Sequence, residues 1–494
     1  MALPTPDAPR RSVLMIGSEA LPFSKTGGLA DVLGALPSAV SRLGWDAVLF
    51  TPRYRGVTAG EFREHFWLAV GGYYAEVSLY EAPLGDGARA MLVDAPGMFD
   101  RDFFYGYGNY DYPDNPRRFA VLVRTALEWA LRQPKGPDVI HAHDWQAGLA
   151  PVYLHSMYGL NPTIGHARTV FTIHNLAYQG RFDASWMSQL DLPWPLYTMQ
   201  QLEFYGSLCF MKGGVVQSDF VTTVSPTYAR EIQTPEGGVG FDGVLRSRSD
   251  SLVGILNGID TTQWDPAGDP FLPQPYRAIN LAGKRTAKAA VLAEYGLPTD
   301  DATMERPLIG LISRMVDQKG FDLIGRLSRF LPELDASFVV LGTGEPRYQD
   351  MWRSLASEHP HKIGARIGFN EGLAHLIEGG ADMFLMPSLF EPCGLNQMYS
   401  LRYGTVPIVR RVGGLADTVQ DYWPGRFDGT GFVFSEYSEW ALLDTIRRAI
   451  GVYRQNKNAW RALQVNGMGQ DLSWDRSARE YVKIYEYALT RERA

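Results

Sequence analysis

Short apolar runs rich in β-branched residues recur along the chain, each followed by a polar or glycine-containing turn and then by apolar positions three and four apart. That alternation predicts strands connected by helices, hence parallel sheets covered on both faces. In the first half the pattern predicts strands over 12–17, 46–51, 66–75, 76–80, 90–94, 138–143, 169–174, 220–224 and 252–256. Helices are expected over 29–43 and 145–158, and from Arg117 to just before Pro134, where Phe119, Leu122, Val123, Ala126, Leu127, Ala130 and Leu131 keep helical spacing. The alternation restarts with strands at 308–313, 337–341, 365–368, 383–387, 406–409 and 431–434. Between the halves, the Pro- and Asp-rich stretch 257–275 reads as a linker. A last helical pattern over 473–491 follows the second sheet, where it either pads that domain or crosses back to the first. The segment 99–112, dense in Phe, Tyr, Gly and Asp without a period, reads as a functional loop or as an Ω-loop packed by its own aromatics.

With 494 residues the chain exceeds what one core supports. The expected division is 1–256, 257–474 and a final helix 475–494. A formal charge of −7 makes nucleic acid and anionic membranes poor partners. A neutral polymer is compatible with that balance, and the 12% aromatic content offers faces for sugar rings as well as core. Two cysteines, Cys209 and Cys393, cannot build a disulfide framework and suit a reducing compartment. Residues 1–11 carry neither a signal core nor a transit sequence, and no apolar stretch approaches the ~20 residues of a membrane span. The expectation is a soluble, untargeted, cytoplasmic protein.

Candidate chemistry gathers where strands give way to helices. Lys25-Thr26-Gly27-Gly28-Leu29-Ala30-Asp31 follows one apolar run and leads into another, and Gly413-Gly414-Leu415-Ala416-Asp417 repeats five of its letters in the second half. Adjacent glycines at such a turn allow φ > 0 and close backbone approach, and a helix start offers N–H groups to an anion; the alternative is that each loop only packs a helix on a sheet. Two such loops suggest two α/β domains facing across a cleft. Arg314 and Lys319, in the loop after the 308–313 strand, can grip a diphosphate without a metal or remain solvated surface cations. Glu391, in Ser388-Leu389-Phe390-Glu391-Pro392-Cys393-Gly394-Leu395, precedes a helix expected to open near Gly394. It can accept sugar hydroxyls or merely favour the helix start, and Cys393 reads as packing rather than a nucleophile. His141-Ala142-His143-Asp144-Trp145 invites a metal reading, yet no third and fourth ligand accompany it. Asp144, with His174 and Asn175 at the end of the next strand, fits a hydrogen-bonding rim; His174 alone could be a core histidine.

These motifs, with Phe171 to Gly180, Val224 to Glu231 and Leu256 to Asp260, resemble bacterial glycogen synthase and plant starch synthase, in the family's order and across nearly the whole chain. The resemblance implies an α/β fold of the type called GT-B: two Rossmann-like domains with parallel sheets facing across a deep cleft, and a C-terminal helix crossing back to the first. The first domain would lie on the glucan acceptor side and the second would bind the nucleotide sugar. It implies transfer of glucose from ADP-glucose to the non-reducing end of an α-1,4-glucan with retention, and no cofactor. By position Lys25, Arg314 and Lys319 match diphosphate-binding residues, with Gly27 and Gly28 in the glycine loop. Asp144, His174, Asn257 and Glu391 match polar residues around the transferred glucose. Tyr105, Trp145, Asn175, Ser388, Cys393, Gly394 and Leu395 match donor contacts.

Two positions depart from the pattern. Gln146 stands where some relatives carry His, and Tyr399 stands where the wider retaining class often carries a second Glu; Gln397 and Tyr399 are candidates for the ribose. No residue is an obvious carboxylate nucleophile. The preferred mechanism keeps the departing phosphate, held by Arg314 and Lys319, on the same face, where it helps deprotonate the incoming 4-hydroxyl. Rival readings are a UDP-glucose-dependent transferase and a non-catalytic glucan- or nucleotide-binding relative. The expected partners are ADP-glucose and glycogen, with neither nucleic acid nor membrane, and the reading allows a weak homo-oligomer.

Overall fold

The strand Ser12–Ile16 lies inside a nine-stranded sheet, paired in parallel with Asp46–Pro52 on one side and Val139–His143 on the other. Its four inner residues are fully buried because helices cover both faces of a parallel sheet. The computed structural model describes residues 10–108 and 110–491; most of the segment expected to lack a leader falls outside them. The chain divides into two compact units, Met1–Gly258 with Trp474–Ala494, and Ile259–Ser473.

Beyond Val139–His143 the first sheet continues in parallel through Arg168–Ile173, Phe220–Thr223 and Leu252–Gly254. Beyond Asp46–Pro52 it continues in parallel to Ala88–Asp94, then turns antiparallel through Tyr73–Gly85 and Glu61–Val70. This edge corrects the expected strands 66–75 and 76–80. They form one long hairpin whose turn is Gly71-Gly72, both at positive φ. The helix expected over 145–158 is two helices, Asp144–Ala147 and Leu149–Met157. They break at Gly148, where a Cβ would fall 2.1 Å from the Phe210 carbonyl oxygen. A small three-stranded sheet of Arg181–Phe182, Ser207–Cys209 and Glu203–Phe204 was not expected. Its strands are two or three residues long, too short to show a period.

The helix Trp474–Thr490 packs in the first unit beside Gly28–Arg42. Its buried positions Trp474, Ser477, Ala478, Tyr481, Val482, Tyr485 and Ala488 keep the 3-4 spacing and join the core of Val13, Leu33, Leu36, Val40 and Val139. Arg42 donates to Asp475 at 2.6 Å and fixes the rim of that contact.

The second unit holds a six-stranded parallel sheet in the order Ile363–Ile367, Ser337–Gly342, Leu308–Ile312, Met383–Met386, Val406–Arg410, Phe432–Phe434. The stretch expected as a linker is largely built into this unit. Trp264, Leu272 and Tyr276 pack with Ala287 and Tyr403, and the Tyr276 hydroxyl donates to the carbonyls of Gly379 and Tyr403.

Candidate active site

The polar residues singled out in the sequence fall into two groups, one in each unit. In the first unit, Val139–His143 and Arg168–Ile173 run in parallel and deliver Asp144 and His174 from neighbouring carboxyl ends, where ligands of open α/β sheets gather. The His174 backbone N–H donates to Asp144 Oδ1 at 2.8 Å. Asp144 itself has φ 56°, a left-handed conformation that a short polar residue tolerates better than most and that clusters at functional sites. Burial pushes its carboxyl up to about 7, against the lowering effect of the His174 and Asn175 N–H groups. Burial also drives the His174 ring down to about 3, so that imidazole is neutral. Asn175 Oδ1 accepts from the Ala177 N–H at 3.0 Å and shapes the turn.

Other residues of this group are more deeply set. Trp145 is buried, with Phe119, Phe182 and Phe210 around its indole. It also rests on Gly180, whose φ is 59° and whose added Cβ would lie 2.5 Å from the ring. The buried Gln146 and Asn257 each leave a side-chain oxygen without a hydrogen-bond partner among the described residues.

The glycine loop is occupied by a side chain that the sequence reading missed. Glu19 is buried beneath it and accepts from the Thr26 N–H, from the Thr26 hydroxyl at 2.6 Å, from the Gly27 N–H at 3.4 Å and from the Tyr105 hydroxyl. Tyr105 also meets Ser18 at 2.8 Å. The signal was a lone carboxylate three residues past the end of a buried strand. The φ > 0 that glycine allows is not used here: Gly27 is extended at φ −153°, and Gly28, which opens the helix, has no positive φ. Nothing lies within 4 Å of a Cβ built on either, so close approach from outside is the property that remains. Lys25 sits at the exposed rim, 2.7 Å from Asp31.

The second glycine loop does a different job. Gly413 has φ 42°, and its Cβ would meet the Glu391 carbonyl oxygen at 1.9 Å; that of Gly414 would meet the Cys393 carbonyl oxygen at 2.1 Å. The Gly414 N–H donates to the carbonyls of Glu391 and Pro392 at 3.1 Å. This repeat therefore clamps the Glu391 loop. Glu391 is buried and accepts from Lys319 Nζ at 2.6 Å and from Ser388 Oγ at 3.1 Å, so it is engaged as an ion-pair partner. Lys319 precedes Gly320, where φ 78° and a Cβ only 2.1 Å from the Pro387 carbonyl oxygen would exclude other residues. Arg314, on the same loop, is exposed and has no side-chain partner among the described residues.

The helix after Glu391 opens at Asn396, two residues later than expected, with Leu395 as its N-cap. Gly394, at φ 75°, makes the turn, and Gln397 donates to the carbonyls of Cys393 and Gly394 at 3.0 and 3.1 Å. Tyr399 is stacked on Trp264 at 3.7 Å, inside the unit. Among the described residues no three His, Cys, Asp or Glu side chains are grouped to hold a metal ion. His141 and His143 bond instead to Tyr485, Thr172 and His174.

A family model for the starch synthase catalytic domain matches residues 12–247, and one for glycosyl transferases group 1 matches 300–459. A curated glycogen synthase of Koribacter versatilis is 46% identical over 479 residues, which is 96% of this chain and 98% of that protein. The chain belongs to the glycogen and starch synthase family of glycosyltransferases. A glycogen synthase of Anaeromyxobacter dehalogenans strain 2CP-C is 49% identical over 477 residues, with the same coverage. The catalytic domain of starch synthase IV from Arabidopsis thaliana, solved with ADP and acarbose bound, has a TM-score of 0.88 and 33% identity, covering 98% of this chain and 100% of that one. The family's two Rossmann-like α/β domains correspond to the two units of this chain, one built on the largely parallel nine-stranded sheet and the other on the six-stranded parallel sheet. No described helix is long and apolar enough to cross a membrane.

Proposed function

We propose that this chain is a glycogen synthase that transfers glucose from ADP-glucose to the non-reducing end of an α-1,4-glucan with retention at the anomeric carbon. The observation that carries the reading is identity of 46–49% with glycogen synthases across 96% of the chain. The local chemistry supports it. Arg314, exposed and unpartnered among the described residues, and Lys319, tethered by Glu391, supply the charges a diphosphate needs, with Lys25 as a third cation. In this reading the second unit binds the donor, with the backbone of Cys393, Gly394 and Leu395 along it and Ser388 holding Glu391. The first unit takes the acceptor.

Asp144, His174, Asn257 and Glu391 would hold sugar hydroxyls, with Tyr105, Gly27 and Gly28 framing the glycine loop and Trp145 and Asn175 as further donor contacts. As the glycosidic bond to phosphate breaks, positive charge develops on the sugar. The departing phosphate, neutralised by Arg314 and Lys319, stays on the same face and accepts the proton of the incoming 4-hydroxyl. Positioning and electrostatics provide most of the acceleration.

The test is ADP release in the presence of glycogen, comparing ADP-glucose with UDP-glucose at equal concentration and following label into the polymer. Faster release from ADP-glucose with polymer labelling is expected. Preference for UDP-glucose would overturn the donor. An ADP-dependent rise in melting temperature with no turnover would make the protein a binding relative.

A further inference from the structure

His174 is one end of a row of buried groups that reaches the C-terminal helix. His143 Nδ1 lies 3.0 Å from His174 Nε2, and the His143 ring lies over that of His141 with centroids 3.9 Å apart. His141 in turn places Nδ1 2.7 Å from the Tyr485 hydroxyl and Nε2 2.6 Å from Thr172 Oγ1, which is 2.6 Å from Thr222 Oγ1. All five supporting side chains, of His141, His143, Thr172, Thr222 and Tyr485, are fully buried. Two imidazoles share this face because alternate residues of a strand point the same way.

Counting donors fixes the protons of His143 and His174. Tyr485, His141, Thr172 and Thr222 bring four protons to three contacts, so one buried O–H, of Tyr485 or of Thr222, goes without an acceptor among the described residues whichever nitrogen of His141 carries its proton. His143 Nε2 is buried and has no partner among the described residues. An orphaned lone pair is tolerated more often than an orphaned N–H, so His143 carries its proton on Nδ1 and donates it to His174 Nε2. Burial keeps all three rings neutral. His174 therefore has one proton left to place, and only Nδ1 is open to it.

We propose that His143, seated on His141 and Tyr485, is a positioning residue that fixes His174 as the Nδ1–H tautomer and makes it a hydrogen-bond donor to a hydroxyl of the transferred glucose. The assignment of that hydroxyl rests on the proposed function; the tautomer does not. The C-terminal helix thus shapes the site through Tyr485 without touching substrate.

The test uses full-length protein labelled with 15N-histidine, whose long-range 1H–15N spectra report the tautomer of each ring. His174 is assigned by the signal lost in His174→Gln. His174 protonated on Nδ1 is expected in the wild type. His143→Asn, which keeps a side-chain N–H near the Nδ1 position, should preserve the His174 tautomer and hold kcat within about threefold. His143→Leu should mix the tautomers and lower kcat about tenfold with KM for the donor changed less than about twofold. His174 protonated on Nε2 in the wild type would overturn the proposal whether or not any variant folds. So would an unchanged His174 spectrum in His143→Leu, or equal losses in the Asn and Leu variants. The spectra need no substrate, so a failure of the functional reading shows separately, as absent ADP release by the wild type.

Discussion

Lys319 Nζ lies 2.6 Å from Glu391 Oε2, and the carboxylate side chain is only 6% exposed. Arg314, on the same loop, is exposed and unpartnered among the described residues. The two cations should therefore separate in variants. Arg314→Ala is expected to lower turnover by ~10²–10³, as loss of a transition-state charge donor does, with stability within about 0.5 kcal/mol of wild type. Lys319→Ala should lose similar turnover and also leave a buried carboxylate unpaired, costing on the order of 2–3 kcal/mol. ADP release and urea denaturation measure both. A turnover loss below about tenfold for Arg314→Ala would count against its role at the phosphate.

The two glycine loops look alike in sequence and should respond in opposite ways. Gly414→Ala would drive a Cβ to 2.1 Å from the Cys393 backbone oxygen, which must then move together with Glu391. Loss of several kcal/mol of stability is expected, typical of overpacking against backbone. Gly28→Ala meets nothing within 4 Å and needs no positive φ. It should fold as well as wild type, yet raise KM for the donor if a ligand approaches that surface. Equal melting temperatures for the two variants would contradict this division of labour.

The parallel strands were legible because burial on both faces writes continuous apolar runs, as in Val13 to Ile16 and Val406 to Val409. The edge hairpin was less so. With one face exposed, Phe62, Trp67 and Tyr74 stand in solvent and blur the alternation, although Gly71-Gly72 marked the turn. Candidate residues that follow strand ends, such as Asp144, His174 and Lys319, were visible from position alone. Glu19 and Tyr485 were not. Their meaning depends on partners 86 and 344 residues away in the chain, Tyr105 and His141, and no local pattern encodes such pairings.

Glu19 offers a direct test of how the first glycine loop is held. Its carboxylate faces only donors: two N–H groups and the hydroxyls of Thr26 and Tyr105. Glu19→Gln would turn an amide NH₂ toward some of them, leaving at least one part-buried donor without its acceptor, at a cost of about 1–2 kcal/mol. Tyr105→Phe removes one of these bonds and should cost about 1 kcal/mol. Urea denaturation should rank the two in that order, and KM for the donor should rise more in Glu19→Gln. The reverse order would mean that Tyr105, rather than Glu19, organises the loop.

Asp144 links stability and turnover through pH. Its carboxyl is raised to about 7 in the folded protein, from about 3.9 when exposed, so the folded state holds the proton more tightly. The stability this contributes is present below about pH 4, declines as pH rises through about 7 and stays low above that. Asp144→Asn does not titrate, keeps an oxygen to accept the His174 N–H and tolerates the positive φ. Relative to wild type the variant should therefore gain stability between about pH 4 and 7, approaching roughly 3–4 kcal/mol above pH 7. Its turnover should move the other way. If a negative Asp144 stabilises the oxocarbenium-like sugar, the variant falls ~10²-fold below wild type at about pH 8. The gap narrows toward about pH 5, where wild type carries the proton itself. Denaturation midpoints and kcat measured across that range test both halves, and a turnover gap independent of pH would show that the shape of Asp144, not its charge, is what the reaction uses.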